Sequence, residues 1–296
     1  MTILSGPQDN VKYTLLNDDG TSASFNDPTA SDYIGFARWT GLDSPEVRES
    51  AYDLVQADGG VHGTFYHGRR PIVGNIEIVP SSITDRATKF TRLEQAANCL
   101  KADATLTWTP SSGIEQFVRV RRNLPLRRED SPGWLSTWQL PLVSADPRIY
   151  GTTLNSSNVA PSGSAAAGRT YTKTYDIDYD ASPPASATMS LTNEGTVETP
   201  PTLRIDGPVT NPQLRNVTVD KTIALVCTLL TGEYITIDTS ARTILLNGVT
   251  NVYSFLDFTN SQWWTLLQGQ NQLEFYAPTY TAPPALFTVS WRHAWI

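Results

Sequence analysis

Apolar and polar positions alternate over short runs along most of the chain, and turn residues separate the runs. Val11–Leu16 and Ser22–Phe25 flank Asn17-Asp18-Asp19-Gly20, which predicts two strands joined by a tight reversal. Tyr33–Leu42 reads as a further strand. Ser44–Glu49 is too polar for a core, and Ala57–Arg70 is punctuated by glycine. In Ile72–Val79, Val73, Ile76 and Ile78 are apolar and Glu77 is not, as in a strand with one wet face. The period changes once. Ser82-x-x-Asp85 has the form of a capping start, and Ala87, Phe90, Leu93, Ala97 and Leu100 recur at three- and four-residue steps, predicting one helix. Strand patterns resume at Ala104–Thr109, Ile114–Arg121 and Trp134–Val143.

The second half repeats the short-strand pattern without a helix. Its most informative stretch is Gly232–Gly248, where Tyr234–Ile237 and Thr243–Leu246 flank Asp238-Thr239-Ser240-Ala241. β-branched and aromatic residues on either side of a polar tip predict an antiparallel hairpin, with a new reversal at Asn247-Gly248. This hairpin is expected at the centre of a β-sandwich. Runs at Ala187–Thr192, Thr202–Ile205, Leu214–Val219, Ala224–Leu229, Gln272–Tyr276 and Leu286–Trp291 complete it. Asn155–Gly168 is small and polar, a linker or exposed loop, so the boundary falls just before it. The fold class expected is mainly β, with an N-terminal β-rich domain with one helix (1–150) and a C-terminal antiparallel β-sandwich (151–296). A chain of 296 residues also exceeds the usual size of one core.

Composition narrows the function classes. The net charge is −7, with 15 basic and 18 acidic residues up to Tyr150 and 7 and 11 after it. Neither half has the basic excess that phosphate-driven nucleic-acid binding requires. No apolar run approaches the roughly 20 residues of a membrane span, and Met1–Pro7 has no basic start or apolar core of a secretory signal. Cys99 and Cys227 fall in different halves and are expected as buried free thiols.

Reactive constellations are absent from the pattern. His62 and His67 lie five positions apart, a spacing that turns strand residues to opposite faces, and with His293 they are expected as structural or surface histidines. Asp176, Asp178 and Asp180 alternate beside Ser182-Pro183-Pro184 and suit a solvated strand edge better than a carboxylate pair or a calcium loop. No G-x-S-x-G, Walker or dinucleotide glycine pattern occurs, so no enzyme, cofactor or metal is expected. Trp263-Trp264, Trp291 and Trp295 offer aromatic faces of the kind that stack on sugar rings. Trp263 and Trp264 are the candidate carbohydrate contact, against the reading that consecutive tryptophans plug a sandwich.

One resemblance spans most of the chain. Glu194-Gly195-Thr196-x-x-Thr199-Pro200-Pro201-x-Leu203-x-Ile205-x-Gly207-x-x-x-Asn211-Pro212-x-x-x-Asn216 precedes Gly232–Thr239, Leu246-Asn247-Gly248 and Leu267-x-Gly269-x-Asn271. Earlier come Gly41-Leu42-Asp43-x-Pro45, Asp58-Gly59, Arg69-Arg70, the helix and Ala145-Asp146-Pro147-x-x-Tyr150. In order and wording these resemble the distal tail protein of long-tailed phages, the family that builds the baseplate hub at the tail tip.

The resemblance implies a galectin-like second domain outside a homohexameric ring of first domains. It also implies a tail tube protein above, a tail-associated tip protein below, and DNA passing through without specific binding. Localisation would be the virion tail tip, after assembly in the host cytoplasm. In some relatives the outer domain or its insertions carry receptor-binding proteins, whereas this second half has no large insertion. Assembly surfaces are expected at Val11–Leu16 and Ile72–Val79 and at the arginines Arg119, Arg121, Arg122, Arg127 and Arg128. Their guanidinium forks would meet Glu129 or Asp130 of the next copy. The alternative function is a carbohydrate-binding module that recognises the host surface.

Overall fold

The structure, a computed structural model, describes residues 11–53, 58, 60–110, 112–131, 134–161, 187–281 and 283–296. Asp176, Asp178 and Asp180 lie outside the described residues. The chain divides into two compact units, one running to Thr152 and including Trp295–Ile296, the other spanning Thr153–Ala294. Strands dominate both, and the one helix among the described residues is in the first.

The first unit contains β1 (Tyr13–Leu16), β2 (Ser22–Phe25), β3 (Tyr33–Thr40), β4 (Val47–Asp53), β5 (Gly60–His67), β6 (Arg70–Ile78), α1 (Ile83–Ala96), β7 (Ala104–Trp108), β8 (Gln116–Arg122), β9 (Arg127–Asp130), β10 (Ser136–Ser144) and β11 (Ile149–Gly151). One sheet runs Ala294–Trp295, β11, β8, β7, β1, β2, β3, β6, β10, β9, and β8 also pairs with β10. That last pairing, Leu142 with Arg122 and Val143 with Arg121, closes seven strands into a barrel. Alternation decides which side chains fill it. Ile72, Ile76 and Ile78 of β6, Val118 and Val120 of β8, and Leu140 and Leu142 of β10 are all buried, and their neighbours point outward. Gly74 has a steric reason: a Cβ there would stand 2.7 Å from the Trp39 ring, which fills the space.

Helix α1 starts as its sequence predicts. The Ser82 hydroxyl accepts from the Asp85 N–H at 3.0 Å, and the Asp85 carboxylate accepts from the Ser81 N–H at 2.8 Å. Leu93 and Ala96 enter the core, and Phe90 meets the Trp138 ring edge-on at 5.1 Å. The helix ends at Ala96, short of Leu100, which is exposed.

The second unit contains β12 (Asn155–Val159), β13 (Ala187–Asn193), β14 (Thr202–Asp206), β15 (Val209–Thr210), β16 (Gln213–Asn216), β17 (Lys221–Ala224), β18 (Thr228–Leu229), β19 (Tyr234–Asp238), β20 (Thr243–Leu246), β21 (Thr250–Asn251), β22 (Gly269–Tyr276), β23 (Thr279–Tyr280) and β24 (Leu286–Trp291). A six-stranded sheet (β12-β24-β14-β19-β20-β21) and a four-stranded sheet (β13-β22-β16-β17) share one core, and a small sheet (β18-β15-β23) adds Val209 and Leu229 to it. Phe275 of β22 and Phe287 of β24 meet at 5.3 Å across the core, as two facing sheets require.

The predicted hairpin is β19–β20, in register from Ile235–Leu246 to Asp238–Thr243, and Asn247 and Gly248 turn at positive φ into β21. β19 is one of the two middle strands of the six-stranded sheet, and β20 lies next to it on the side of β21. Two expectations need correction. Asn155–Val159 is not a loop but an edge strand, paired with β24 from Asn155–Trp291 to Val159–Phe287. Its polar side chains suit an edge whose backbone, not its side chains, makes the attachment. Ala224–Leu229 is not one run, because the strand ends at Ala224, Leu225 bridges to Leu256, and the next strand starts at Thr228.

Candidate functional site

The five candidate arginines fall on two strands that lie in line along one edge of β10. Arg122 and Arg121 pair with Leu142 and Val143, and Arg127 to Asp130 pair with Gln139 to Ser136. Arg119 and Arg121 point out of the barrel wall, and Arg121 Nε donates to Asp103 at 2.5 Å. Arg128 is held within its own chain. Its guanidinium lies over the rings of Phe90 (5.3 Å) and Trp138 (5.6 Å) and pairs with Asp130 at 3.2 Å, where Arg86 also arrives at 3.0 Å. Those contacts, led by the Ser136 hydroxyl, hold the Asp130 carboxyl below its usual range. Arg119 and Arg127 make no ion pair among the described residues. The structure therefore gathers the arginines into one band but gives them different work.

The strands expected as free edges are not free. β1 pairs with β2 and β7 along its whole length, and β6 lies between β3 and β10. Both are enclosed on both sides, and their apolar content reflects that enclosure. Two other edges of the first unit have no partner among the described residues: the outer side of β9, and the β4–β5 ribbon, which forms a sheet of its own. On the ribbon Phe65 and Tyr66 are 51% and 62% exposed.

His62 also sits on this ribbon. Glu49 pairs with Phe65 and Ala51 with His62, so β5 carries one extra residue and its parity flips. His62 consequently shares a face with Glu49 (2.5 Å) and Phe65 (5.6 Å), and alternation from Phe65 puts His67 on that face as well. The opposite-face expectation fails because of the bulge.

The residues that carry the resemblance converge on polar knots that brace loops. In the first unit the knot is Arg70, fully buried. Its Nε donates to the Pro147 carbonyl (2.9 Å) and its Nη1 to the carbonyls of Gly41 (3.1 Å) and Leu42 (2.8 Å). Gly41 has φ +87°, and a Cβ there would strike the Pro71 carbonyl oxygen at 2.0 Å. Burial lowers the Arg70 pKa, with Asp43 and Asp146 opposing. The Asp146 carboxylate accepts from the Tyr150 hydroxyl (2.6 Å) and the Arg148 N–H (3.0 Å), and burial drives the Tyr150 phenol upward.

In the second unit three buried asparagines do the same without charge. Asn193 donates to the Val197 carbonyl (2.8 Å) and accepts from Gly195 N–H (3.1 Å). Asn216 spans Thr265 and Thr218, at 3.1 Å to each. Asn271 closes the 267–271 turn through Leu267 and Gly269. A Cβ on Gly195 would lie 1.8 Å from the Ala294 oxygen, so only glycine fits. Sequence reasoning singled out Gly195, Asn216 and Asn271 without finding their role, and it passed over Asn193. The signal was present, since a glycine or asparagine between strands marks a special backbone position.

The remaining candidates separate by burial. Trp264 is in the core of the sandwich, out of reach of a sugar, whereas Trp263 is half-buried and stacks on Tyr253 (6.4 Å, 13°). Trp291 is buried and its indole N–H donates to the Thr192 carbonyl at 3.1 Å. Trp295 packs against the first core. His293 Nδ1 accepts from the Glu194 N–H at 3.0 Å. Cys99 is buried and Cys227 half-buried, both free. Burial raises both thiols, that of Cys227 to about 11. Among the described residues no cluster of three or more His, Cys, Asp or Glu side chains is placed to hold a metal, and no helix is long and apolar enough to cross a membrane.

Comparison with known proteins gives these observations a setting. Residues 194–295 match the family model of the siphovirus-type tail component, C-terminal domain (SPP1 Dit). No curated protein matches the sequence. The fold is similar to that of SPP1 Dit, whose crystal structure is described as a paradigm of hub adsorption apparatus in phages that infect Gram-positive bacteria. The TM-score is 0.67 at 16% identity, over 96% of this chain and 99% of that one. A chain of the phage P2 baseplate in its activated conformation with Ca matches at TM-score 0.48 and 13% identity, over 95% and 97% of the two chains. The matched segment contains the braced loops at Gly195, Asn216 and Asn271, and residues 194–295 carry the siphovirus-type tail component C-terminal domain.

Proposed function

We propose that the protein is a structural hub at the distal end of a phage tail, working as a homohexameric ring. In this reading the ring joins the tail tube protein to the tail-associated tip protein, and DNA passes through its centre without specific binding. The observation that carries it is the match of residues 194–295 to the tail-component family, and the SPP1 Dit-like fold across nearly the whole chain supports it. Two physical features agree. Net charge is −7, which keeps a DNA channel from gripping phosphates. The first unit leaves strand edges uncovered, and such edges favour pairing with another chain. The second domain is read as galectin-like, and of its two candidate sugar contacts Trp264 is in the core while Trp263 is half-buried.

Electron microscopy of the purified full-length protein tests the reading. Rings of six with a central hole are expected. A field of solitary particles at every concentration would overturn it.

A further inference from the structure

Among the surfaces of the first unit, the two unpartnered edges have side chains that match each other. β9 reads Arg127-Arg128-Glu129-Asp130, and its four residues are exposed. β4 opens with Val47-Arg48-Glu49-Ser50. Both belong to structures that are incomplete as single copies. A two-stranded ribbon with exposed aromatic residues is marginal in water alone, and β9 presents unpaired N–H and C=O groups along its outer side.

We infer that β4 of one copy adds, antiparallel, to the outer edge of β9 of the next copy, with Arg48 opposite Glu129. This rests on the ring reading above and names the contact that would build the ring. Charge selects the register. With Arg48 opposite Glu129, Glu49 stands opposite Arg128, Val47 opposite Asp130 and Ser50 opposite Arg127, so no like charges meet. A shift of one residue in one direction sets Arg48 against Arg128, and in the other sets Glu49 against Glu129. Arg48 and Glu129 are the decisive pair, because neither makes an ion pair within its own chain among the described residues. Glu49 is already met by His62, and Arg128 by Asp130 and two rings.

β9 would also match a second β9, Arg127 against Asp130 and Arg128 against Glu129. That contact is two-fold and ends at a dimer, leaving the ribbon uncovered, whereas the β4–β9 contact runs head to tail and continues around a ring.

The test uses full-length protein in which one batch carries Arg48→Cys and another Glu129→Cys. Opposed residues in an antiparallel pair are close enough for a disulfide, so the mixed batches should give a covalent dimer under mild oxidation while neither batch alone does. Arg48→Glu should weaken assembly at least tenfold, and adding Glu129→Arg should restore it. Crosslinking of the Glu129→Cys batch by itself, or wild-type rings with no crosslink in the mixture and no effect of Arg48→Glu, would overturn this contact and leave the ring reading standing. Wild-type protein that stays monomeric would overturn the ring reading first.

Discussion

The two units solve the same problem, holding long loops on a β framework, with opposite chemistry. The barrel unit buries a charge: Arg70 ties three carbonyls from two loops at 2.8–3.1 Å. The sandwich unit buries three neutral amides, each tied to loop backbone near 3 Å. They differ also at their margins. The six-stranded sheet ends in the polar β12 and the two-residue β21, whereas the barrel unit exposes a charged edge strand and a ribbon carrying exposed Phe65 and Tyr66. Under the proposed ring, the unit that meets copies of itself keeps edges uncovered and needs a stiff internal brace. A unit without that task ends its larger sheet in blunt edges.

The largest test of this contrast is at Arg70. Replacing it with Met leaves three buried carbonyls unpaired, and each hydrogen bond lost from a charged donor costs about 1.5–3 kcal/mol. Melting of the barrel unit should fall by roughly 10 °C, with the sandwich unit unaffected in the same scan. Equal loss in both units, or none, would end the comparison. Asn271→Ala is the counterpart in the sandwich. It should cost about 1–3 kcal/mol, since it strands neutral groups at the 267–271 turn, and chemical denaturation of the full chain should resolve it as smaller than the Arg70 effect.

Acid sharpens the same contrast at lower amplitude. Backbone hydrogen bonding from Ser81 holds Asp85 below its ordinary 3.8. Thr29 does so for Asp27 and Ser136 for Asp130, and in Asp32 bonds from Ser22 and Ser24 outweigh the opposing effect of burial. In the sandwich Asp257 is lowered by Asn260. A carboxylate with a depressed folded pKa stabilises the fold fully above its unfolded value and loses that contribution as pH falls through the folded one. Melts taken from about pH 7 to about pH 2.5 should therefore show the barrel unit losing more, with the decline confined to the region below about pH 4. The smallest effect concerns the thiols. With Cys227 raised to about 11 and Cys99 buried, a disulfide reagent at about pH 8 should label native protein slowly at both, and raising the pH should speed Cys227 first.

Periodicity made most of the fold legible. The alternation in β6 and β10, the three-and-four spacing of α1 and the β19–β20 hairpin all follow from single stretches of sequence. What stayed hidden depends on contacts between distant stretches. Asn-Ser-Ser-Asn-Val becomes a strand only because β24 offers it an edge. The arginines at 69 and 70 look alike in sequence, yet one is exposed and the other is the buried brace. Parity in β5 is reset by one extra residue beside Gly63, which sequence spacing alone does not reveal. The candidate arginines were found as a group, but the open edge beneath Arg127 and Arg128 is visible only once β10 is known to be their partner.

Mass measurement of the intact full-length protein in solution, across a wide concentration range, tests the central claim most directly. The account predicts a discrete species of six times the chain mass that shifts toward single chains in Arg48→Glu. A mass of one chain at every concentration would contradict it.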